Sequence, residues 1–407
     1  MGLAPESSES SGSKREMKYF RSLVLVSAWQ RIAGQFEKAS RQTRILIFAV
    51  AALIGISGRL WAQTKPPNFD FNVWLTASSS LLDGVNPYAA NQFNYGPSWL
   101  GIVTGIRFMS TDIDNFRLYI AIFLTLIDLG IAVVLISKRY SLAAVIFFIS
   151  PVTIAISGQH QQVDNIAILT TLLATFWAVK AKSERIVGSD WVAVLLVGLG
   201  LSIKHVFLLL PIWLALRPGP LKKRIFYLVV PYSVFALSLL GPFLSARDTI
   251  IDSMVQYSGA NNSPVLYAFL PDQMMTWVVA WQGPKVFFVI ALIGSGYLFR
   301  HVRLFEFTLI YTISAVVFSW AIVNQYLAVP MAGIAIWMNL GFIIWLLLSS
   351  VYLWGDTTAI NFPLLNQIQP HMLLEYDVVA KDLFPWIFVG WLLLLLNRKV
   401  LPQGRDS

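Results

Sequence analysis

Long apolar segments alternate with short polar and charged segments along most of this chain. A membrane-spanning helix needs about 20 apolar residues, and shorter segments also occur where neighbouring helices shield their ends. The pattern predicts an all-α polytopic membrane protein with about 12 transmembrane helices. The range 326–354 is open to a second interpretation, as one long tilted helix instead of two. The predicted spans are 44–62, 116–136, 141–157, 165–180, 189–203, 206–217, 225–243, 285–300, 304–323, 326–338, 340–354 and 383–397.

The positions of Lys and Arg orient these spans. Cytoplasmic loops carry an excess of basic residues, and 22 of the 30 Lys and Arg fall on one side when the N-terminus is placed inside. We therefore expect both termini to be cytoplasmic. Residues 97–109 are apolar enough for a further span, but a crossing there would place every later basic cluster outside. We predict instead that 63–115 forms one outer loop, whose apolar helices lie along the membrane or dip into it.

The chain divides into three predicted parts on these grounds. Residues 1–43 are expected to be a cytoplasmic tail that begins with a disordered segment rich in Ser, Glu and Gly. Its second part, 17–43, alternates apolar and basic residues, which is typical of an amphipathic helix on an anionic inner leaflet. Residues 44–397 form the transmembrane domain, and 398–407 form a second cytoplasmic tail. Because the first apolar segment begins only near Arg44, we predict no cleaved signal peptide.

Composition agrees with this pattern and excludes some kinds of chemistry. Hydrophobic residues make up 57% of the 407 positions and charged residues only 13%, whereas a soluble domain carries roughly 25% charged residues. The net charge of +9 lies in short clusters between apolar segments, so it does not indicate a nucleic-acid partner. The absence of Cys excludes disulfides, thiolate metal sites and cysteine nucleophiles.

The first outer loop contains an aspartate with two interpretations. Asp70 follows the first predicted span and precedes an amphipathic stretch that ends in the turn sequence Asp83-Gly84. A carboxylate at the membrane surface can accept a proton from an alcohol, as a general base does. Asp also favours the N-cap of a helix, so a purely structural role is the alternative. The residue chemistry alone leaves both interpretations open.

The second outer loop is short and unusually polar. His160 and Asp164 lie four residues apart, so on a helix they would share a face, yet two ligands do not make a metal site. Amide and carboxylate groups also match the hydroxyl groups of a sugar, and capping of two helix ends is the structural alternative. The six polar side chains of this loop are Gln159, His160, Gln161, Gln162, Asp164 and Asn165.

Lys204 and His205 interrupt an apolar run at the outer end of a predicted span. A lysine there opposes the positive-inside bias and needs a partner. A lipid phosphate suits the point charge of a lysine, and snorkelling of the side chain to the interface is the alternative. Three other outer-side cations are open to the same role, namely Arg59, Arg107 and Arg117.

Asp128 lies in the middle of the second predicted span. An ionisable group at that depth is costly and normally faces a partner or a cavity. We favour a structural pair inside the helix bundle over a proton pathway. A further polar group, Asn324-Gln325-Tyr326, begins an outer helix that contains Pro330.

The order of these motifs resembles the polyprenyl-phosphate-sugar-dependent glycosyltransferases of the GT-C superfamily. The similarity is greater to the bacterial mannosyltransferase-like branch that acts on lipid-linked acceptors, and it covers about residues 44–340. Two positions depart from the family pattern. The usual Tyr-Pro-Pro appears as Tyr-Gly-Pro, and Phe71 stands where many members carry a second acidic residue, which weakens the case for a metal. The motifs are Asp70, Ala77 to Tyr88, Tyr95-Gly96-Pro97, Ser157 to Gln159 with Asp164 and Asn165, Ile203-Lys204-His205, and Asn324-Gln325-Tyr326.

The resemblance implies an enzyme with GT-C-like outer loops in the bacterial inner membrane, whose active site lies on the outer face. It implies inverting transfer of one hexose, foremost mannose, from a polyprenyl-phosphate donor to a lipid-linked or glycan acceptor. Asp70 would be the general base, and Lys204 with His205 would lie near the donor phosphate. No metal or other cofactor is expected. The substrate-binding residues it implies are Tyr95, Gln159, His160, Asp164, Asn165, Gln325 and Tyr326.

Two other classes of membrane protein remain as alternatives. A transporter or flippase of a lipid-linked saccharide would share the many spans, and Asp128 would suit it. Transporters often contain inverted repeats with broken helices in matching halves, and the sequence shows no such symmetry. A structural or assembly protein is the third class, which the polar outer loops argue against only mildly.

Overall fold

The computed structural model describes residues 26–90, 93–180, 185–252, 264–321, 323–355, 376–398 and 401–402. The regular secondary structure elements of these residues are all helices, with no β-strand among them, which confirms the all-α prediction. The first half contains α1 (Val26–Lys38), α2 (Arg41–Gln63), α3 (Phe69–Leu82), α4 (Pro87–Ala90), α5 (Pro97–Met109), α6 (Ile113–Ser137), α7 (Ser141–Ile149), α8 (Pro151–Ile154), a π-helix (Ala155–His160), α9 (Asp164–Lys180) and α10 (Gly188–Ile203).

The second half begins with a 3-10 helix (His205–Phe207) and contains many short helices. They are α11 (Leu210–Leu216), α12 (Leu221–Ile250), α13 (Pro264–Phe269), α14 (Asp272–Ala280), α15 (Gly283–Phe299), α16 (Leu304–Val317), a second 3-10 helix (Asn324–Leu327), α17 (Met331–Ile336), α18 (Leu340–Gly355) and α19 (Tyr376–Leu396).

Fewer of the described helices are long and apolar enough to span a membrane than the hydropathy pattern predicts. Among the described residues, three helices are long and apolar enough to cross a membrane, α2, α6 and α12. Two bent pairs also pass when each is taken together, α7 with the segment 151–160 at 52° and α14 with α15 at 88°. Six other apolar helices have only 10–17 residues. The prediction of about 12 transmembrane helices is therefore not confirmed, because several apolar stretches are divided by breaks into short helices.

One such break decides between the two interpretations of 326–354. The chain leaves the helical conformation after α17, and the side chain of Asn339 caps α18 by accepting a hydrogen bond from the Phe342 amide at 3.1 Å. The Asn339 amide also donates to the Gly390 carbonyl in α19 at 3.0 Å. The interpretation as one long tilted helix is therefore wrong.

The amphipathic helix α1 contacts the rest of the bundle at both ends. The Trp29 indole donates to the Ile336 carbonyl at 3.2 Å. Glu37 accepts from the Ser141 amide at 2.5 Å and pairs with Arg44 at 2.6 Å. The helix is thus attached to α2, α7 and α17, and it does not simply lie on lipid as the pattern alone predicted. Residues 1–25 lie outside the described part of the chain.

The predicted outer loop consists of α3, α4 and α5, between the long helices α2 and α6. With 13 residues, α5 is about 20 Å long, too short for an untilted span. The loop has its own aromatic core, in which the Trp74 ring meets Tyr95 at 5.7 Å and Trp99 at 5.2 Å, both edge-on. The chain enters α5 through Gly96, whose amide donates to the Ile203 carbonyl at 3.2 Å. A Cβ at Gly96 would lie 1.9 Å from the Ser202 carbonyl oxygen, so this close approach requires glycine.

A buried ion pair connects the long helices beneath this loop. Arg59 on α2 donates twice to one carboxylate oxygen of Asp128 on α6, at 2.9 and 2.7 Å, and both side chains are 0% exposed. The other Asp128 oxygen accepts from the Asn165 amide on α9 at 2.5 Å. Arg59 also donates to the Gly55 and Phe148 carbonyls at 3.0 and 2.8 Å. The predicted structural pair at Asp128 is confirmed, and its partner is Arg59.

Candidate functional site

The short polar loop between α8 and α9 adopts two uncommon conformations in succession. Residues Ala155–His160 form a π-helix, a geometry frequent at functional sites. Gln161 follows in the left-handed region at φ 55°, and its side-chain amide donates to the Arg117 carbonyl at 2.7 Å. This sharp reversal fixes the loop against α6 and directs the next side chain, Gln162, toward α3.

Asp70 is held in place by a chain of polar side chains. Its Oδ2 accepts from the Gln162 amide at 2.7 Å and from the Asn68 amide at 3.5 Å. The other end of Gln162 accepts from the Tyr95 hydroxyl at 3.1 Å. Among the described residues no hydrogen bond reaches Oδ1 of Asp70, which is partly exposed. The carboxylate is therefore fixed through one oxygen and open through the other.

The alternative role of Asp70 as a helix N-cap is wrong. Asn68 occupies the N-cap of α3, and its side chain accepts from the Phe71 amide at 3.1 Å. Asp70 lies inside the first turn, where the positive end of the helix dipole favours a carboxylate. The local structure thus leaves the carboxylate available for contacts with other groups.

Lys204 lies on the other side of Tyr95. Its side chain is 1% exposed, and its Nζ lies 4.1 Å from the centre of the Tyr95 ring, over its face. Such cation–π contacts strengthen when the cation is desolvated. Because α10 ends at Ile203, where it meets Gly96, the ammonium is anchored to the same turn that carries Tyr95. Asp70, Gln162, Tyr95 and Lys204 therefore form one contiguous group, which we name the polar cluster.

Asp164 adds a second carboxylate to this region. It is 1% exposed, and neither of its oxygens accepts a hydrogen bond from another described side chain. Burial raises the pKa of this carboxyl group, the nearby Lys204 ammonium lowers it, and the nearby Asp70 carboxylate raises it. A buried carboxylate without donors is costly, so this position is suited to donors from a bound molecule, such as sugar hydroxyls.

His205, next to Lys204, lines an apolar cavity whose walls come mainly from residues 205–209, α12, α15 and α16. Burial, and secondarily the Lys204 ammonium, lower the pKa of this imidazole, so it is neutral at physiological pH. The cavity has a volume of about 310 Å³ and is lined mainly by apolar side chains, among them Phe243, Ile250 and Phe288. His205 and Tyr326 are among its few polar side chains. The cavity therefore offers an apolar molecule a space directly beside the polar cluster.

The remaining predicted site residues lie outside the polar cluster. Gln159 and His160 are buried in the π-helix, where the Gln159 amide donates weakly to the Pro66 carbonyl at 3.4 Å. Asn165 donates to Asp128 and so belongs to the buried ion-pair network instead of the polar cluster. Gln325 lies in the second 3-10 helix, and its side chain is outside the described residues.

The three other outer-side cations that the sequence left open to the role of Lys204 have contacts within the protein. Arg59 pairs with Asp128 in the buried network, so it is not placed to take the role left open for it. Arg117 donates to the Lys65 carbonyl, and Arg107 donates to the Ser110 carbonyl at 3.4 Å. Lys204 remains the cation that lies within the polar cluster.

Sequence reasoning missed the role of Gln162. The residue was visible only as one of six polar side chains in the short loop, and no spacing rule distinguishes it from Gln159 or Gln161. Its importance depends on the left-handed turn at Gln161, which orients it toward both Asp70 and Tyr95.

No group of three or more His, Asp or Glu side chains that could hold a metal ion occurs among the described residues. Comparison of this chain with protein-family models, curated proteins and solved structures finds no match.

Proposed function

We propose that this chain is a membrane glycosyltransferase that moves a hexose, foremost mannose, from a polyprenyl-phosphate donor to a lipid-linked or glycan acceptor. The proposal rests on three features that lie near each other at one end of α10. These are a positioned carboxylate, a buried ammonium and an apolar cavity. The transfer takes place at the outer face of the bacterial inner membrane, where the positive-inside orientation puts this end of α10.

Asp70 is the general base of the proposed reaction. Gln162 holds Oδ2, so Oδ1 is the oxygen that takes the proton of the acceptor hydroxyl. The acceptor oxygen then attacks the anomeric carbon of the sugar, while the bond between that carbon and the phosphate oxygen breaks. Attack from the side opposite the leaving group inverts the configuration.

Lys204 stabilises the negative charge of the leaving group. A lipid phosphate leaves as a stable anion, so no acid is required to protonate it, but negative charge develops on its bridging oxygen. A fixed cation in a water-poor site stabilises such charge far more than one in water. The contact with Tyr95 holds the Lys204 ammonium without neutralising it.

The apolar cavity supports the assignment of a lipid donor over a nucleotide sugar. Its walls are mainly hydrocarbon, and His205, which is neutral there, adjoins Lys204. An isoprenoid chain is as apolar as these walls, so it can pass from the bilayer into the cavity without exposing hydrocarbon to water. A nucleotide would bring charges for which this cavity has no cation among its described lining residues.

The transporter alternative draws less support from these residues. Asp128, the residue that suited it, is bound to Arg59 and Asn165 and is 0% exposed. Its carboxylate is thus engaged in holding α2, α6 and α9 together.

The test uses purified protein in liposomes, with radiolabelled polyprenyl-phosphate mannose and extracted lipid acceptors. Asp70→Asn, which preserves size and hydrogen bonding, is expected to reduce transfer at least 100-fold, since general bases contribute typically 10²–10⁴-fold. The matched control is Asp83→Asn, an exposed aspartate at the end of the same helix, which should transfer at the wild-type rate.

The same assay distinguishes the alternatives. Full transfer by a correctly folded Asp70→Asn variant would remove Asp70 as the base. Movement of labelled lipid across the bilayer without a glycosylated product would favour a flippase and overturn the proposal.

A further inference from the structure

The helices α14 and α15 meet in a right-angled corner. Their axes are inclined to each other by 88°. Gln282 turns the chain there in the left-handed conformation at φ 54°, and Gly283 follows so close to Val278 that an added Cβ would lie 2.7 Å from the Val278 carbonyl oxygen. Because this close approach requires glycine, the corner is specified by the sequence. The two helices are therefore separate elements and not one continuous apolar span.

The direction of α15 determines that of α14. With 17 residues, α15 is about 26 Å long, close to the roughly 30 Å thickness of the hydrocarbon core. Arg300 and Arg303 follow its carboxyl end, so the positive-inside orientation puts its amino end, Gly283, at the outer surface. A helix at right angles to α15 at that point lies parallel to the plane of the bilayer.

The side chains of α14 divide its surface into three sectors. Met275, which is 1% exposed, faces the protein. The other two sectors are exposed, and each consists of residues at helical spacing, which places them on one side of the helix. We name them the apolar sector, Met274, Trp277 and the C-cap residue Trp281, and the polar sector, Gln273 and Thr276.

Val278 shows which sector faces the bilayer. It lies against Gly283 at the start of α15. Helical spacing places Val278 beside Met274 and roughly opposite the polar sector. Since α15 runs from Gly283 into the bilayer, the polar sector points toward water and the apolar sector lies at the membrane surface.

The apolar sector has the chemistry of a lipid contact. Trp277 and Trp281 are 68% and 72% exposed, and their ring centres lie 6.3 Å apart. Indole rings favour the boundary between headgroups and acyl chains, where the apolar ring and the polar N–H group are both accommodated. Residues 273–281 include no charged side chain, so the contact does not require an anionic headgroup.

We propose that α14 lies in the outer leaflet, at the boundary between headgroups and acyl chains, with its apolar sector in contact with zwitterionic phospholipid. An amphipathic helix in this position is held by the apolar area that it buries in lipid. Phe288 and Val289 of α15 line the apolar cavity, so the contact of α14 with lipid fixes the depth of that wall in the membrane. The inference depends on the membrane location of the chain and not on sugar transfer.

Single cysteines can test the position of α14, because the chain has no Cys of its own. Trp277→Cys and Thr276→Cys are neighbours in the apolar and polar sectors, and Ile290→Cys, exposed on α15, is the reference for hydrocarbon. Each full-length variant carries a nitroxide label and is reconstituted into phosphatidylcholine nanodiscs. Electron paramagnetic resonance then measures the access of the label to oxygen, which concentrates in lipid, and to a water-soluble nickel complex.

The ratio of oxygen access to nickel access is expected to exceed unity for Trp277→Cys and to fall below unity for Thr276→Cys. Ile290→Cys should give a higher ratio than either. Ratios below unity at both positions of α14 would place both sectors in water. Ratios as high as that of Ile290→Cys at both would show α14 inserted as part of a broken span, and low access of the Trp277→Cys label to both reagents would show a protein partner. Each of these three outcomes would overturn the proposal.

A matched pair of charges supplies an independent measurement. Met274→Asp and Gln273→Asp each add one negative charge to the first turn of α14, where the helix dipole favours both. In phosphatidylcholine nanodiscs, Met274→Asp is expected to lower the midpoint of thermal unfolding, because a charge at the lipid contact loses its hydration. Gln273→Asp should leave the midpoint at the wild-type value. Equal midpoints for the two variants would contradict the proposed orientation of α14.

Discussion

The ion pair between Arg59 and Asp128 leads to a quantitative prediction about stability. Both side chains are 0% exposed, and their hydrogen bonds measure 2.9 and 2.7 Å. Replacing Asp128 with Asn leaves the guanidinium buried without a counter-charge. Breaking a buried pair from one side typically costs about 3–5 kcal/mol. We therefore expect Asp128→Asn to lower the free energy of unfolding by that amount.

Removing both charges should be less harmful than removing one. The double variant Arg59→Met/Asp128→Leu replaces the pair by apolar groups, an exchange that is often neutral in buried sites. Its main remaining costs are the Asn165 side-chain amide, which loses its acceptor, and the Phe148 carbonyl, which loses the Arg59 donor, at about 1–3 kcal/mol for a buried group left unsatisfied. The double variant is therefore expected to be more stable than Asp128→Asn alone.

The measurement is equilibrium unfolding of the purified protein in mixed micelles, as sodium dodecyl sulfate is added. Asp112→Asn is the matched control, because Asp112 caps the same helix, α6, and Asn caps equally well. It should change the free energy by less than about 0.5 kcal/mol. If Asp128→Asn matched this control, or if the double variant were the least stable protein, the reasoning would be refuted.

Two further predictions concern the turn and the loop that position the polar cluster. Gly96→Ala should lower the free energy of unfolding by at least about 1–3 kcal/mol, because its Cβ would lie 1.9 Å from the Ser202 carbonyl oxygen. Gly105→Ala, inside α5 with nothing within 4 Å of the added Cβ, should be neutral or stabilising in the same unfolding experiment in sodium dodecyl sulfate. Gln162→Leu should reduce sugar transfer at least tenfold in a folded protein, because it removes the hydrogen bond that positions the proposed base, Asp70. Asn72→Leu, on the exposed surface of α3, should leave the transfer rate unchanged. Equal transfer rates for these two variants would exclude Gln162 as a positioning residue.

Motif order predicted several parts of the polar cluster from sequence. Asp70, Tyr95 and Lys204 stood in three separate motifs of the sequence, and the structure joins Asp70 and Tyr95 through Gln162 and Lys204 to Tyr95 directly. The three residues could be recognised from the sequence because each motif places a polar side chain within an apolar run. The function of the cluster stays a prediction that the proposed assay tests.

Two parts of the fold could not be predicted because hydropathy carries no information about partners. Arg59 and Asp128 lie 69 residues apart, so their separate positions gave no sign that they meet. The span count is not confirmed because hydropathy averages across breaks that divide apolar stretches into short helices, such as the break between α17 and α18. Position along the chain thus identified the charges, but only packing shows what they do.

The same ion pair has a consequence for the biogenesis of the protein. At roughly 5–20 residues per second, the 69 residues between the two charges separate their synthesis by roughly 3–14 s. During that interval Arg59, four residues before the end of α2, can extend its long side chain to the bilayer surface. The Asp128 side chain is short and lies nine residues from the nearer end of α6, so it cannot reach the bilayer surface. We therefore expect α2 to remain at the insertion site until α6 has been synthesised. The two helices then enter the lipid together, as a hairpin already joined by the ion pair between Arg59 and Asp128.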